Sequence, residues 1–220
     1  MKTLKKALAL FLAVLTTLTV LTGCQQEPKP PDDAITLEEV QALSNADYGA
    51  TLDEFLIHAI DSEFEVCGVF DGNGNSLIQY CSNDAHGVSL PIEALERLIY
   101  ETDLAHVHTH PNSDSPFSDG DFLFFTAGNP FEHAIVRTLS TIYYLDPGEA
   151  GWPEREEAIA FIQNYAAQVA LTMTPEQQAE YYIIDDVRGD VFVPTMKTAQ
   201  DYAAHFGLKL WSEPAPGIST

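Results

Sequence analysis

Basic residues are scarce in this 220-residue chain, where 10 Lys and Arg stand against 33 Asp and Glu, for a formal net charge of −23. A nucleic-acid partner needs a basic patch for the phosphate backbone, so the composition excludes one. Electrostatic binding to anionic lipid is excluded for the same reason. The chain also has no internal repeat. Because 45% of its residues are hydrophobic and 10% aromatic, we expect one folded, acidic domain and not a disordered chain.

Long apolar runs are missing except at residues 7–21, a run of 15 residues that follows Lys2, Lys5 and Lys6 and contains three threonines. A membrane-spanning helix requires roughly 20 predominantly apolar residues. A charged segment, a short apolar run and then small residues is the order found in export signals. The sequence therefore predicts a signal peptide over residues 1–23 and argues against a spanning helix.

The end of this segment, Leu21-Thr22-Gly23-Cys24, resembles the lipobox of bacterial lipoproteins. The resemblance implies that Cys24 is lipidated, becomes the first mature residue, and anchors the protein in the bacterial cell envelope outside the cytoplasmic membrane. The alternative is an ordinary secreted protein in which Cys24 has no such role. Residues 24–35 are proline-rich and nearly free of apolar side chains, which predicts an extended tether.

Cysteine is rare, with three in the whole chain. Cys67 and Cys81 flank the turn signal Asp71-Gly72-Asn73-Gly74-Asn75, and apolar stretches on both sides of it predict a β-hairpin. Since an exported protein can form disulfides, we expect a cross-strand bridge between the two. The alternative is a pair of buried free thiols.

Strand and helix signals alternate along the rest of the chain. The predicted strands are residues 64–70, 76–81, 104–110, 133–138 and 141–145, and the predicted helices begin near residues 51, 91, 118, 153, 174 and 195. This mixture predicts an α/β (α+β) fold, with a sheet flanked by helices. We expect a core over residues 36–150 and a helical extension over residues 151–220 packed on the same domain.

Three histidines alternate along one predicted strand, at His106, His108 and His110. Side chains repeat every two residues in a strand, so all three should project from one face. Two imidazoles and a carboxylate can hold Zn²⁺ and leave a fourth position for water. The candidate carboxylate is Asp121, which follows His110 by eleven residues.

The segment His108-Thr109-His110, seven residues, then Ser118-Asp119-Gly120-Asp121 resembles the JAMM motif of the JAB/MPN-type zinc metalloproteases. The family also carries an upstream Glu-x-x-Gly, which Glu65-Val66-Cys67-Gly68 matches. The resemblance implies a JAB/MPN-like mixed sheet and a zinc metallopeptidase. It implies that His108, His110 and Asp121 hold Zn²⁺, that Glu65 acts on the water, and that Ser118 supports the oxyanion.

Plainer interpretations of the same residues remain open. Ser118 and Asp121 form a capping arrangement for a helix start even without catalysis. Glu63 lies two residues before Glu65 and competes with it for the role of the water-activating group. His106 is either an outer partner of the site or a structural residue.

Three functions fit these features to different extents. The first is a lipid-anchored zinc hydrolase of peptide or isopeptide bonds in a peptide or protein substrate. The second is an amidohydrolase or phosphoesterase barrel, which needs about 250 residues and further metal ligands later in the chain. Only two histidines, His133 and His205, follow the cluster, so this function is disfavoured. The third is a non-catalytic JAB-like binding or structural lipoprotein. The sequence carries no signal of an oligomeric state.

Overall fold

The fold is described from a computed structural model that covers residues 29–84, 87–184 and 192–216. The predicted signal peptide, Cys24 and the start of the tether lie outside these residues. The described residues from Asp33 onward form one compact unit. Within the described ranges, no helix has both the length and the apolar character needed to cross a membrane.

The described chain contains eight β-strands: β1 (Val66–Phe70), β2 (Ser76–Cys81), β3 (Leu104–His110), β4 (Phe131–Thr138), β5 (Thr141–Asp146), β6 (Tyr182–Ile184), β7 (Phe192–Pro194) and β8 (Lys209–Pro214). Six of them form a mixed sheet at the centre of this unit, in the order β2-β1-β3-β4-β5-β8. Only β3 and β4 are parallel neighbours, and the other pairs are antiparallel. A small antiparallel pair, β6 and β7, lies apart from this sheet.

Seven α-helices flank the strands in the described chain, and the predicted α+β class is confirmed. They are α1 (Leu37–Ala42), α2 (Leu52–His58), α3 (Ile92–Leu98), α4 (Asp119–Phe124), α5 (Arg155–Thr172), α6 (Pro175–Gln178) and α7 (Met196–Phe206). Four of the short helices begin with a capping box, in which a Ser or Thr and the residue three positions later bond each other's backbone N–H: α1, α2, α4 and α6. These caps stabilise helices too short to persist alone.

Two apolar clusters cover the two faces of the sheet, and β3 contributes to both. Ala105 and Val107 belong to the cluster that includes Phe55 of α2, while the alternate residues of β3 face the larger cluster. That larger cluster contains Phe122 of α4 and Tyr202 of α7. The three histidines of β3 therefore lie on the face that α4 and α7 cover.

The expected disulfide between Cys67 and Cys81 is not formed, and both residues are free thiols. Strand register explains the error. Cys67 pairs with Tyr80, and Cys81 pairs with Val66, so the two cysteines are offset by one residue. A one-residue offset places side chains on opposite faces of a sheet, and the two thiols accordingly contact different apolar clusters.

The C-terminal segment contains more strand than the sequence predicted. Its helices lie near their expected positions, but β8 pairs with β5 along six residues and forms one edge of the main sheet. Five of the six residues of β8 are exposed, so its sequence lacks the alternation that marks a half-buried strand. The stacking of Trp211 on Tyr144, with ring centroids 5.0 Å apart, supports the pairing.

Candidate metal centre

The central strand β3 holds His108 and His110 in a rigid position. β1 pairs on one side of it and β4 on the other, and every residue of β3 is buried. The exposed fraction is 3% for His108 and 9% for His110. The ring centroids of His106 and His110 lie 5.7 and 4.9 Å from that of His108, so the three imidazoles leave the same face of the sheet and the predicted alternation is confirmed.

Helix α4 brings Asp121 to these histidines. Asp121 is the third residue of the helix, and its Oδ2 accepts hydrogen bonds from the Ser118 backbone N–H at 2.6 Å and from the Ser118 hydroxyl at 2.7 Å. Those bonds fix the carboxylate and turn Oδ1 toward β3, where it lies 3.1 Å from His108 Nε2. The capping box and the candidate metal ligand are therefore the same side chain.

The donor atoms of the three residues converge on one point. His108 Nε2 and His110 Nε2 are 3.2 Å apart, and His110 Nε2 lies 3.8 Å from Asp121 Oδ2. Among the described residues, His108, His110 and Asp121 are the one group of His, Cys, Asp or Glu arranged to hold a metal ion. Donors on a tetrahedral zinc, each 2.0–2.1 Å from the ion, are about 3.3 Å from one another, so the arrangement fits zinc.

The tautomer of His110 also suits a metal ligand. Its Nδ1 lies 3.0 Å from the backbone oxygen of Ser115. A carbonyl oxygen only accepts, so Nδ1 carries the hydrogen, and in the neutral ring this leaves the Nε2 lone pair for a metal. His108 Nδ1 is buried and has no hydrogen-bond partner within the described residues.

Charge is concentrated at this centre. Burial lowers the pKa of His108, but the carboxylates of Asp121 and Glu65 outweigh it, so the pKa lies above its usual value. Burial opposes ionisation of Asp121, yet His108 and His110 hold its pKa well below the usual range. Burial, with repulsion from Asp121, raises the pKa of Asp119 to about 6. A cation at the centre would compensate this buried negative charge.

Glu65 lies immediately before β1, on the face that carries the histidines. It is buried, whereas Glu63 is exposed, and this favours Glu65 over its competitor. The Val66 N–H donates to Thr109 Oγ1 at 3.0 Å, which fixes the start of β1 against β3. The charge of Glu65 acts on His108, and Ser118 bonds Asp121, so the five residues named from the motif lie at one centre.

His106 is a structural residue of the apolar core. Its ring lies between 5.0 and 5.6 Å, centroid to centroid, from those of Phe124, Phe125 and Phe131. Burial, with repulsion from His108, lowers the pKa of His106 to about 3, so the ring is neutral at physiological pH. It is absent from the group of candidate ligands.

Two supporting residues were not found by sequence reasoning. Ser115 accepts the hydrogen of His110 through its backbone oxygen, and Thr109 holds the residue next to Glu65. A backbone carbonyl leaves no trace in residue type. Thr109 occupies the variable position of His-x-His and looks like any strand threonine.

Comparisons with protein-family models, with curated proteins and with solved structures give no match to this chain. The motif of Glu65, His108, His110, Ser118 and Asp121 and its geometry therefore carry the functional argument alone.

Proposed function

We propose that this chain is a zinc-dependent hydrolase of peptide or isopeptide bonds. The supporting observation is the convergence of His108 Nε2, His110 Nε2 and Asp121 at separations that suit tetrahedral zinc, beside the buried Glu65. The three residues hold the ion in this proposal. When bound, zinc supplies Lewis acidity that polarises an amide carbonyl and lowers the pKa of a water from about 16 to about 7.

Glu65 carries the proton in this reaction. As a carboxylate it accepts a proton from the attacking water, and it then gives that proton to the leaving amine. Its burial keeps bulk water from competing for the proton. The bond that the Val66 N–H donates to the Thr109 hydroxyl holds the neighbouring backbone against β3. Glutamine has nearly the same shape but cannot accept the proton, so Glu65 is the residue whose replacement separates turnover from metal binding.

Ser118 serves first to orient Asp121. Its single hydroxyl hydrogen is donated to Asp121 Oδ2. A role in stabilising the oxyanion requires that this hydrogen move from Asp121 to the substrate oxygen during the reaction. The same bond favours a second candidate function, in which the chain binds metal or a partner without turnover.

The proposal places the enzyme on a lipid anchor at Cys24, in the bacterial cell envelope. The amino-terminal sequence supports this through its export-signal pattern and its lipobox-like residues. Substrates are then peptides or proteins that reach the outside of the cytoplasmic membrane.

Elemental analysis of the full chain, purified in detergent without added metal, is the first test. We expect about one zinc per chain and little in a His108→Ala variant. Absence of zinc in the parent, even after zinc is supplied, would contradict the proposal.

A peptide and isopeptide library then tests turnover, with Glu65→Gln beside Glu63→Gln as a matched control. Glu65→Gln should retain zinc and lose activity by at least about a hundredfold, whereas the exposed Glu63 should be replaceable. Zinc binding with no cleavage by the parent would favour the non-catalytic function.

A further inference from the structure

A chain of two hydrogen bonds connects a candidate zinc ligand to the C-terminal segment. His110 Nδ1 donates to the Ser115 backbone oxygen at 3.0 Å, and the Ser115 hydroxyl donates to the Pro194 backbone oxygen at 2.8 Å. Ser115 is 5% exposed, so water does not compete effectively for either bond. The connected residues His110 and Pro194 belong to β3 and β7.

Pro194 is itself fixed by several bonds. β7 pairs with β6, and the residue after Pro194, Thr195, donates its backbone N–H to the Tyr181 oxygen at 2.9 Å. The Thr198 hydroxyl donates to the same Tyr181 oxygen at 2.6 Å. The start of α7 therefore presents the Pro194 oxygen as a fixed acceptor for Ser115.

Other contacts of the loop between β3 and α4 hold different residues. Asp114 accepts bonds from the Thr138 hydroxyl at 3.0 Å and from the Ser140 hydroxyl at 2.8 Å. These bonds attach the loop to the β4–β5 hairpin. Ser115 is different, because its backbone oxygen contacts His110 and its hydroxyl bonds the C-terminal segment at Pro194.

We propose that Ser115 is a positioning residue through which the C-terminal segment orients His110 for zinc. The inference rests on the metal site of the proposed function. Partners that orient a histidine ligand typically contribute 10- to 100-fold to metal affinity. Because the Ser115 hydroxyl acts one bond further away, we expect the lower end, about tenfold.

The test measures zinc dissociation constants by chelator competition on the full chain in detergent. Ser115→Ala removes the bond to Pro194. Ser140→Ala is the control, because it removes the bond that the Ser140 hydroxyl donates to Asp114 of the same loop, and this bond does not lead to His110. Zinc affinity should fall about tenfold in Ser115→Ala and stay within about twofold of the parent in Ser140→Ala. Ser115→Cys, with a similar size and a weaker S–H donor, should give an intermediate value even if the alanine variant does not fold.

Nitrogen-15 NMR of the metal-free chain adds a readout specific to His110. The proton on its Nδ1 should exchange with solvent faster in the alanine or cysteine variant than in the parent. If the Ser115 variants match the parent in zinc affinity and in proton exchange, the role of Ser115 is overturned while the metal site stands. An equal loss of affinity in Ser140→Ala would overturn it as well, since general loosening of the loop would explain both. A parent that binds no zinc would overturn the metal site together with this inference.

Discussion

Replacing Thr109 by valine tests how β1 and Glu65 are held against the zinc ligands. Thr109 is fully buried, and its hydroxyl accepts the N–H of Val66, also fully buried, at 3.0 Å. Valine keeps a similar shape but cannot accept, so the Val66 N–H loses its partner. An unsatisfied buried donor costs about 1–3 kcal/mol. At about 2–4 °C per kcal/mol for a domain of this size, the thermal midpoint should fall by roughly 2–12 °C.

The assay combines thermal unfolding with amide hydrogen exchange at Val66. Thr141→Val is a matched control, because the Thr141 hydroxyl contacts the Ser140 hydroxyl at 3.1 Å in an exposed position. This substitution should change the free energy of unfolding by less than about 0.5 kcal/mol. Thr109→Val should also lower turnover more than zinc content, since it loosens the residue next to Glu65 and not the ligands. An unchanged thermal midpoint with unchanged exchange at Val66 would show that the Thr109 hydroxyl does not hold the start of β1.

Two further predictions concern stability. Burial opposes ionisation of Asp114, but bonds from Ser140 and Thr138 hold its pKa below the usual value. A carboxyl whose pKa is lowered in the folded state stabilises the fold at any pH above its pKa in the unfolded chain, which is about 3.9 for Asp. Asp114→Asn should therefore lower the free energy of unfolding by about 1 kcal/mol at pH 7, a figure discounted for solvent exposure. The difference in stability between parent and variant should vanish as the pH falls through the lowered pKa of Asp114. A pH-independent difference in urea unfolding would contradict this. Tyr202 stacks on Phe122 at 4.0 Å and donates to its carbonyl at 3.3 Å. Tyr202→Ala should cost about 3–5 kcal/mol and Tyr202→Phe less than about 1 kcal/mol, and equal costs in denaturant titrations would show that the ring packing is not the main contribution.

Local patterns predicted those parts of the site that depend on short spacing. Alternation along β3 placed His108 and His110 on one face, and the Ser-x-x-Asp spacing predicted the helix start that fixes Asp121. Both follow from backbone periods that act within one element. The burial of Glu65 against the exposure of Glu63 did not follow, because it depends on where β1 begins relative to β3.

Pairing between distant segments was the part that sequence reasoning missed. The turn signal predicted the hairpin of β1 and β2 but not its register, so the expected Cys67 to Cys81 disulfide was wrong. Strand β8 was missed because its exposed residues carry no alternation. In both cases the deciding contact is a backbone pairing between two segments, and the local pattern of one segment did not specify its register or its partner.

Patterns within single elements were enough to predict the α+β class, the strand with its alternating histidines and the cap that holds Asp121. The packed fold was needed to show that the donor atoms of β3 and α4 meet within about 3–4 Å. It alone joined Ser115 to Pro194, which are 79 residues apart in the chain. The physical reason is range: backbone periodicity and capping are set by neighbours within one element, whereas these contacts exist only after burial of the apolar clusters has packed separate elements together.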